Sequence, residues 1–188
     1  MFTYVLNIMS DDHPGIIAAV TSAVEALNAN IESSSQTVLG GFFTQIMIVT
    51  IPEDIAPEDL QKHVLEHTAK SCRIDVSVRR TTADSLSSEN KAERFVLTAF
   101  GKDQPGVVCR FSEYLSDHEM NILDMYGYRQ KNTDGDVQFF LTAQVEIPTK
   151  WNLALLQCDL QNLGEDINFT VVLQHENIFT ATNRVRYR

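Results

Sequence analysis

Cysteine is scarce in this chain of 188 residues. The three present, Cys72, Cys109 and Cys158, are odd in number, widely spaced and without a CxxC pair. That argues against a disulfide framework or a thiolate zinc site and leads us to expect three buried thiols in a reducing compartment. Basic charge is also short, with 15 Lys and Arg against 25 Asp and Glu, a formal net charge of −10. Through Asn90 there are 5 basic and 12 acidic residues (5 − 12 = −7), and beyond it 10 and 13 (10 − 13 = −3). Proteins that grip nucleic acid show a basic face to the phosphates. Here only the ending "NRVRYR" is basic, with Arg184, Arg186 and Arg188, and it reads as a solvated tail. Direct nucleic-acid binding is not expected. No apolar run is long enough to span a bilayer, and no basic, apolar, small-residue leader opens the chain, so a cytoplasmic protein is expected. GxGxxG and the Walker loop are missing as well.

What is present is a repeat. "DDHPGII" opens at Asp11 and "KDQPGVV" at Lys102. Asp12 to Asp103 is 103 − 12 = 91 residues, and Ile31 of "NANI" to Ile122 of "EMNI" is again 122 − 31 = 91. Ile51-Pro52 returns as Ile147-Pro148 at 147 − 51 = 96, so the second copy has gained five residues, most simply at its hairpin. Hydrophobic residues at 44% and charged residues at 21% suit two globular units of about 94 residues each.

Each copy reads as strand, helix, strand, strand, helix, strand. In the first, Thr3–Met9 is a strand broken by "DHPG", and Ile17, Val20, Val24 and Leu27 follow at helical spacing. Their equivalents at offset 91 are Val108, Phe111, Leu115 and His118. Asn30 and Asn121 are expected to close these helices in the left-handed conformation. Ile31–Leu39, a Gly40-Gly41 turn and "FFTQIMIVTI" form a hairpin, matched later by Leu123–Gln130, "NTDGD" and "VQFFLTAQVEI". Second helices are expected over Pro57–Lys70 and Trp151–Leu163, and closing strands over Arg73–Arg79 and Ile167–Leu173. The expected organisation is a first domain over 1–84, a polar linker over 85–91, a second domain over 92–175 and a tail over 176–188. The fold class is α+β: two ferredoxin-like βαββαβ units, each a four-stranded antiparallel sheet with two helices on one face. The second strands, which are edges in this plan, carry few charges, and association through them is expected.

The repeated loop is the candidate site. Pro suits the first turn of a helix, Gly permits close backbone approach, and Asp12 and Asp103 stand where a carboxylate can cap the helix. Capping alone accounts for the Asp but not for the Gly. A helix N-terminus beside a Gly is also fit for a small anion.

Tandem "SDDHPGIIAAV…NANI" and "GKDQPGVVCRF…EMNI" resembles a pair of ACT domains, and at this length the glycine cleavage system transcriptional repressor family. The resemblance spans the chain apart from linker and tail. It implies a non-enzymatic, amino-acid-sensing regulator, with glycine among the candidate effectors and a protein such as a transcription factor as partner. It also implies effector held where two units meet, by the β1–α1 loop of one and an Asn after the first helix of the other. Carried over by position, the ligand-binding residues are Ser10, Asp12, Gly15 and Asn30 with Gly101, Asp103, Gly106 and Asn121. No cofactor, metal or catalytic residue is implied, and no membrane; a homodimer is one arrangement. Ser10 stands where the second copy has Gly101, so the two sites can differ. The loop carboxylate would repel a ligand carboxylate but accept an α-ammonium group. Two other readings stay open: a detached regulatory subunit of an amino-acid or formyltetrahydrofolate pathway enzyme, and an adaptor with no ligand.

Other patterns carry less. His63 and His67 in "HVLEH" have the HxxEH spacing of some zinc proteases but no third ligand in a recognisable motif, and read as a helix flank. His13, His118 and His175 lack a Ser or Cys partner for a hydrolytic triad. Phe42, Phe43, Phe139 and Phe140 are expected in the core. Tyr126, Tyr128 and Arg129 on an edge strand are candidates for a ligand or partner contact.

Overall fold

The computed structural model describes residues 1–69, 73–81 and 92–178. The chain divides into two compact units, Met1–Ser88 and Glu89–Arg188. The expected linker, Cys72 and the arginines of the tail lie outside the described residues.

The first unit runs β1 (Phe2–Asp11), α1 (Ile16–Glu25), β2 (Asn30–Leu39), β3 (Phe42–Ile51), α2 (Pro57–Thr68) and β4 (Asp75–Thr81). Its antiparallel sheet has the order β2-β3-β1-β4, so β2 and β4 are the edges. Strict alternation on β1 sends Tyr4, Leu6 and Ile8 into the core, and β3 adds Phe43, Met47, Val49 and Ile51. Leu6 is fully buried, so Leu6→Ala should cost about 2–5 kcal/mol. The Tyr4 hydroxyl donates to Ile55 O at 2.8 Å and accepts from Ile55 N at 3.0 Å, tying the β3–α2 connection to the sheet. The hairpin turns on Gly40 (φ 61°) and Gly41 (φ 88°), the two positive dihedrals that a two-residue turn demands.

The second unit repeats the order: β5 (Ala92–Lys102), α3 (Val107–Asp117), β6 (Asn121–Lys131), β7 (Val137–Pro148), α4 (Leu153–Glu165) and β8 (Phe169–His175). Its sheet order is β6-β7-β5-β8. The five gained residues are in the hairpin, as expected. Leu39 pairs Phe42 across two residues, whereas the equivalent Gln130–Gln138 pair encloses seven. Asn132 organises that longer turn by accepting from the N–H groups of Asp134 and Asp136. Even the bulges recur: the register slips between Ile31 and Ser33, and again 91 residues on between Ile122 and Asp124.

Four expectations need correction. The helix stripes begin one residue earlier than read: Ile16, Val20 and Val24 are buried with Ala23, matched by Val107, Phe111 and Leu115, and Ile17 is 43% exposed. A 3.6-residue period admits either neighbour, and the turn of the preceding Gly sets which one faces the sheet. Asn30 and Asn121 do not close the helices but start β2 and β6; the left-handed residues are Asn28 (φ 52°) and Glu119 (φ 56°). Cys109 and Cys158 are exposed, since they fall on the outer faces of α3 and α4. Phe42 is 58% exposed on the face away from the helices, while its neighbour Phe43 is buried; Phe139 and Phe140 are half-buried.

Candidate functional site

Both repeated loops are held by the hairpin of their own sheet. Asp12 N donates to Gly41 O at 2.8 Å, and Asp103 N donates to Val137 O at 3.0 Å. The chain then passes through Pro14 or Pro105 into a Gly cap. Gly15 (φ 101°) and Gly106 (φ 86°) are the N-cap residues of α1 and α3, both left-handed and both without any side-chain hydrogen bond to the cap. Neither Asp caps its helix, and neither Pro lies in a first turn; both precede the Gly that does the capping. The left-handed Gly turns the chain sharply and carries the Asp side chain away from the first-turn N–H groups. Those N–H groups are left without a side-chain acceptor, at the positive end of the helix.

A cleft of about 500 Å³ opens beside the first loop. Asp12, Gly15 and Ile16 form one wall, and Gln36, Val38 and Phe43 of the β2–β3 hairpin the other. The His13 ring lies at its rim, with Nδ1 3.1 Å from Pro14 O. Asp12 is exposed, and among the described residues no ion pair engages it. In the second unit Asp103 is paired: Arg129 Nε lies 3.0 Å from its Oδ2.

The remaining candidates fall elsewhere. Ser10 is buried and its hydroxyl donates to Arg73 O at 2.9 Å, closing β1 onto the segment that leads to β4. Gly101, its counterpart, is pressed against the start of β8, where a Cβ would come within 2.5 Å of Asn168 O. Asn30 donates from Nδ2 to Glu32 Oε1 at 3.0 Å. This bond and a second from Thr50 hold the Glu32 carboxyl below its ordinary range. Asn121 lines a shallow cleft of about 420 Å³ with Ser112, Ser116 and Glu119, at the corner where α3 passes into β6. Loop and Asn thus lie at opposite ends of a helix of 10 or 11 residues. At 1.5 Å per residue they are about 15 Å apart, so a loop and an Asn of one unit do not share a cleft.

Tyr126 and Tyr128 are exposed on the face of the sheet away from the helices. Tyr128 stacks on Phe140 with centroids 5.1 Å apart. His63 Nε2 is 3.0 Å from Ala23 O, a contact that seats α2 on α1, and the His63 and His67 rings are 5.6 Å apart. Among the described residues no cluster of three His, Cys, Asp or Glu could hold a metal ion, and no helix is long and apolar enough to cross a membrane. The sequence alone did not single out Gln36 and Val38, the hairpin residues that line the first cleft; its one signal was that the hairpin follows the loop at a fixed distance in both copies.

Comparison with known proteins accords with this architecture. A family model described as the ACT domain matches twice, over residues 3–79 and 93–174. A UPF0237 protein of Methanocaldococcus jannaschii is 32% identical over 93 residues, which is 49% of this chain and 98% of the relative. One from Bifidobacterium longum is 31% identical over 96 residues, 51% of this chain and 99% of the relative. Among solved structures, an unknown protein from Galdieria sulphuraria superposes with a TM-score of 0.78 at 20% identity, covering 93% of this chain and 98% of its own. A candidate glycine cleavage system transcriptional repressor superposes with a TM-score of 0.64 at 16% identity, covering 92% and 96%. With the family model matching both copies, the chain belongs to the ACT domain family.

Proposed function

We propose that this protein is a non-enzymatic regulator that binds a free amino acid at its β1–α1 loops and passes the signal on through protein–protein contacts. One observation carries the reading: a helix N-terminus with no side-chain cap opens into a cleft next to an unpaired carboxylate, Asp12. A zwitterion answers both charges, its carboxylate at the helix dipole and its ammonium at the Asp. The residues proposed for binding are Asp12, Gly15, Asp103 and Gly106 in the loops; Asn30 and Asn121 stand at the far ends of the first helices, away from the loops of their own units. Ser10 and Gly101 act behind the loops by setting their path.

The family is regulatory, and the fold likeness to a candidate glycine cleavage repressor supports glycine as the first effector to try and a cytoplasmic transcription factor as the first partner. With a net charge of −10, control of transcription would run through that partner and not through direct contact with DNA. A thermal-shift screen against the twenty amino acids tests the reading. A ligand at a hundred times its Kd stabilises by about 2.7 kcal/mol. At about 2–4 °C per kcal/mol for a chain of this size, that is a rise of several degrees. No shift with any amino acid at millimolar concentration would leave the adaptor reading standing. A pull-down on the liganded protein then separates a transcription factor from an enzyme as partner.

A further inference from the structure

The two copies are not equivalent, and we infer that only the first is a ligand site: its cleft takes the ammonium group of an amino acid on Asp12, while the second copy supplies its own cation, Arg129, at the matching place. The inference rests on the functional reading above and narrows it to one site per chain.

Register fixes which residues correspond. Asp12 and Asp103 donate to Gly41 O and Val137 O, at offsets of 103 − 12 = 91 and 137 − 41 = 96. In the first unit Val38 pairs with Phe43, and in the second Arg129 pairs with Phe139 at the same two offsets. Val38 lines the first cleft and brings no charge. Arg129 reaches from that position to within 3.0 Å of Asp103 Oδ2. The second copy thus displays what its loop carboxylate accepts, a nitrogen cation arriving from the hairpin side. The first copy has the same carboxylate in the same register, with the uncharged Val38 at that place and, among the described residues, no cation paired with it.

The floor of the cleft differs in the same sense. Gln36 lines the first cleft and lies directly opposite Gln45, on the sheet face that also carries Phe43. Gln45 is only 4% exposed; its Nε2 donates to Ser34 Oγ at 2.9 Å, and its buried Oε1 has no hydrogen-bond partner. A buried acceptor without a donor is destabilising until something donates to it. At the equivalent places (36 + 91 and 45 + 96) the second copy has Gly127 and Leu141. The Phe139 ring lies over Gly127 so closely that a Cβ there would be 2.8 Å from Phe139 Cζ. Where the first copy sets acceptors, the second sets a ring and an aliphatic chain. An ammonium brings three donors, and the first cleft can offer the Asp12 carboxylate and the Gln36 amide oxygen, with the polar Gln45 side chain beside Gln36 on the same sheet face.

The test is a calorimetric titration of the full chain with the amino acid giving the largest thermal shift among the twenty. The same acid lacking its amino group is run beside it. The expected stoichiometry is one per chain, with no binding of the deaminated acid. Asp12→Asn should weaken binding at least tenfold. Val38→Arg, at a half-exposed position, should install in the first copy the ion pair that the second already has; it should weaken binding similarly while the melting temperature without ligand holds. Two equal sites per chain, equal binding of the deaminated acid, or a loss of binding on Asp103→Asn matched by none on Asp12→Asn would each overturn the inference and leave amino-acid sensing intact. If none of the twenty binds at all, both readings fall.

Discussion

Gly101 and Asn168 are packed backbone against backbone: a Cβ built on Gly101 would come within 2.5 Å of Asn168 O and 2.6 Å of the Phe169 ring. The first unit has Ser10 at the matching position, with its hydroxyl donating to Arg73 O. The two units therefore close the same corner differently, one by a side-chain bond and one by bare contact. Exchanging the residues should hurt unequally. Gly101→Ser forces backbone to move and should cost about 1–3 kcal/mol, as overpacking does. Ser10→Gly loses the one hydroxyl proton, which Arg73 O at 2.9 Å and Asp11 O at 3.0 Å share, a loss worth about 0.5–1.5 kcal/mol. Urea melts of the two variants compare them directly.

Tyr114 offers a second test, through pH. Its hydroxyl is buried near the Asp159 carboxylate but makes no well-formed hydrogen bond. Burial, with the Asp159 carboxylate adding to it, pushes its pKa from 10.0 up to about 12. The folded state then holds the phenolic proton more tightly than the unfolded chain does. Stability from this group is intact below about pH 10 and is lost as pH rises toward about 12. Tyr114→Phe removes an unsatisfied polar atom and should be neutral or stabilising at pH 7. It should also flatten the alkaline limb of a melting-temperature profile, while an unchanged limb would place the ionisation elsewhere.

Cys109 is exposed yet should be a sluggish thiol. Its Sγ lies 3.2 Å from Glu113 Oε1 one helical turn on. The hydrogen bond to that carboxylate, followed by its charge, raises the thiol pKa and suppresses the thiolate. Glu113→Gln should therefore speed alkylation of Cys109 near pH 8, read by peptide mapping. A rate unchanged by that substitution would mean that the carboxylate does not control the thiol.

The fold was legible because the chain states it twice. Offsets of 91 and 96 place the helices, the hairpins and the inserted turn, and a pattern seen twice is hard to produce by chance. The candidate site was legible only as far as its loop. Asp12 looked like a cap because a carboxylate before a helix commonly is one; the left-handed Gly15, which aims it elsewhere, depends on φ and cannot be read from residue type. The difference between the copies was less visible still. Val38 and Arg129 are 91 residues apart and unremarkable alone. Only the strand register shows that one side chain neutralises its loop carboxylate and the other does not.

Gly15 gives the last prediction, and it separates conformation from space. At φ 101° it lies in a region that L side chains rarely adopt, yet a Cβ there would meet nothing within 4 Å. Gly15→Ala should therefore cost about 1–2 kcal/mol, from backbone strain and not from collision. Gly15→Asn should cost less, because Asn tolerates left-handed backbone, although it is the larger residue. A steric role for Gly15 would reverse that order. The two variants also report on the cleft. If Gly15 matters by directing the α1 N–H groups toward ligand, Gly15→Asn should keep much of the stability but lose amino-acid affinity, because its amide oxygen can cap the freed N–H groups. Chemical melts and titrations on the same two variants decide both points. An Asn variant that binds as well as the wild type would remove the helix N-terminus from the proposed site.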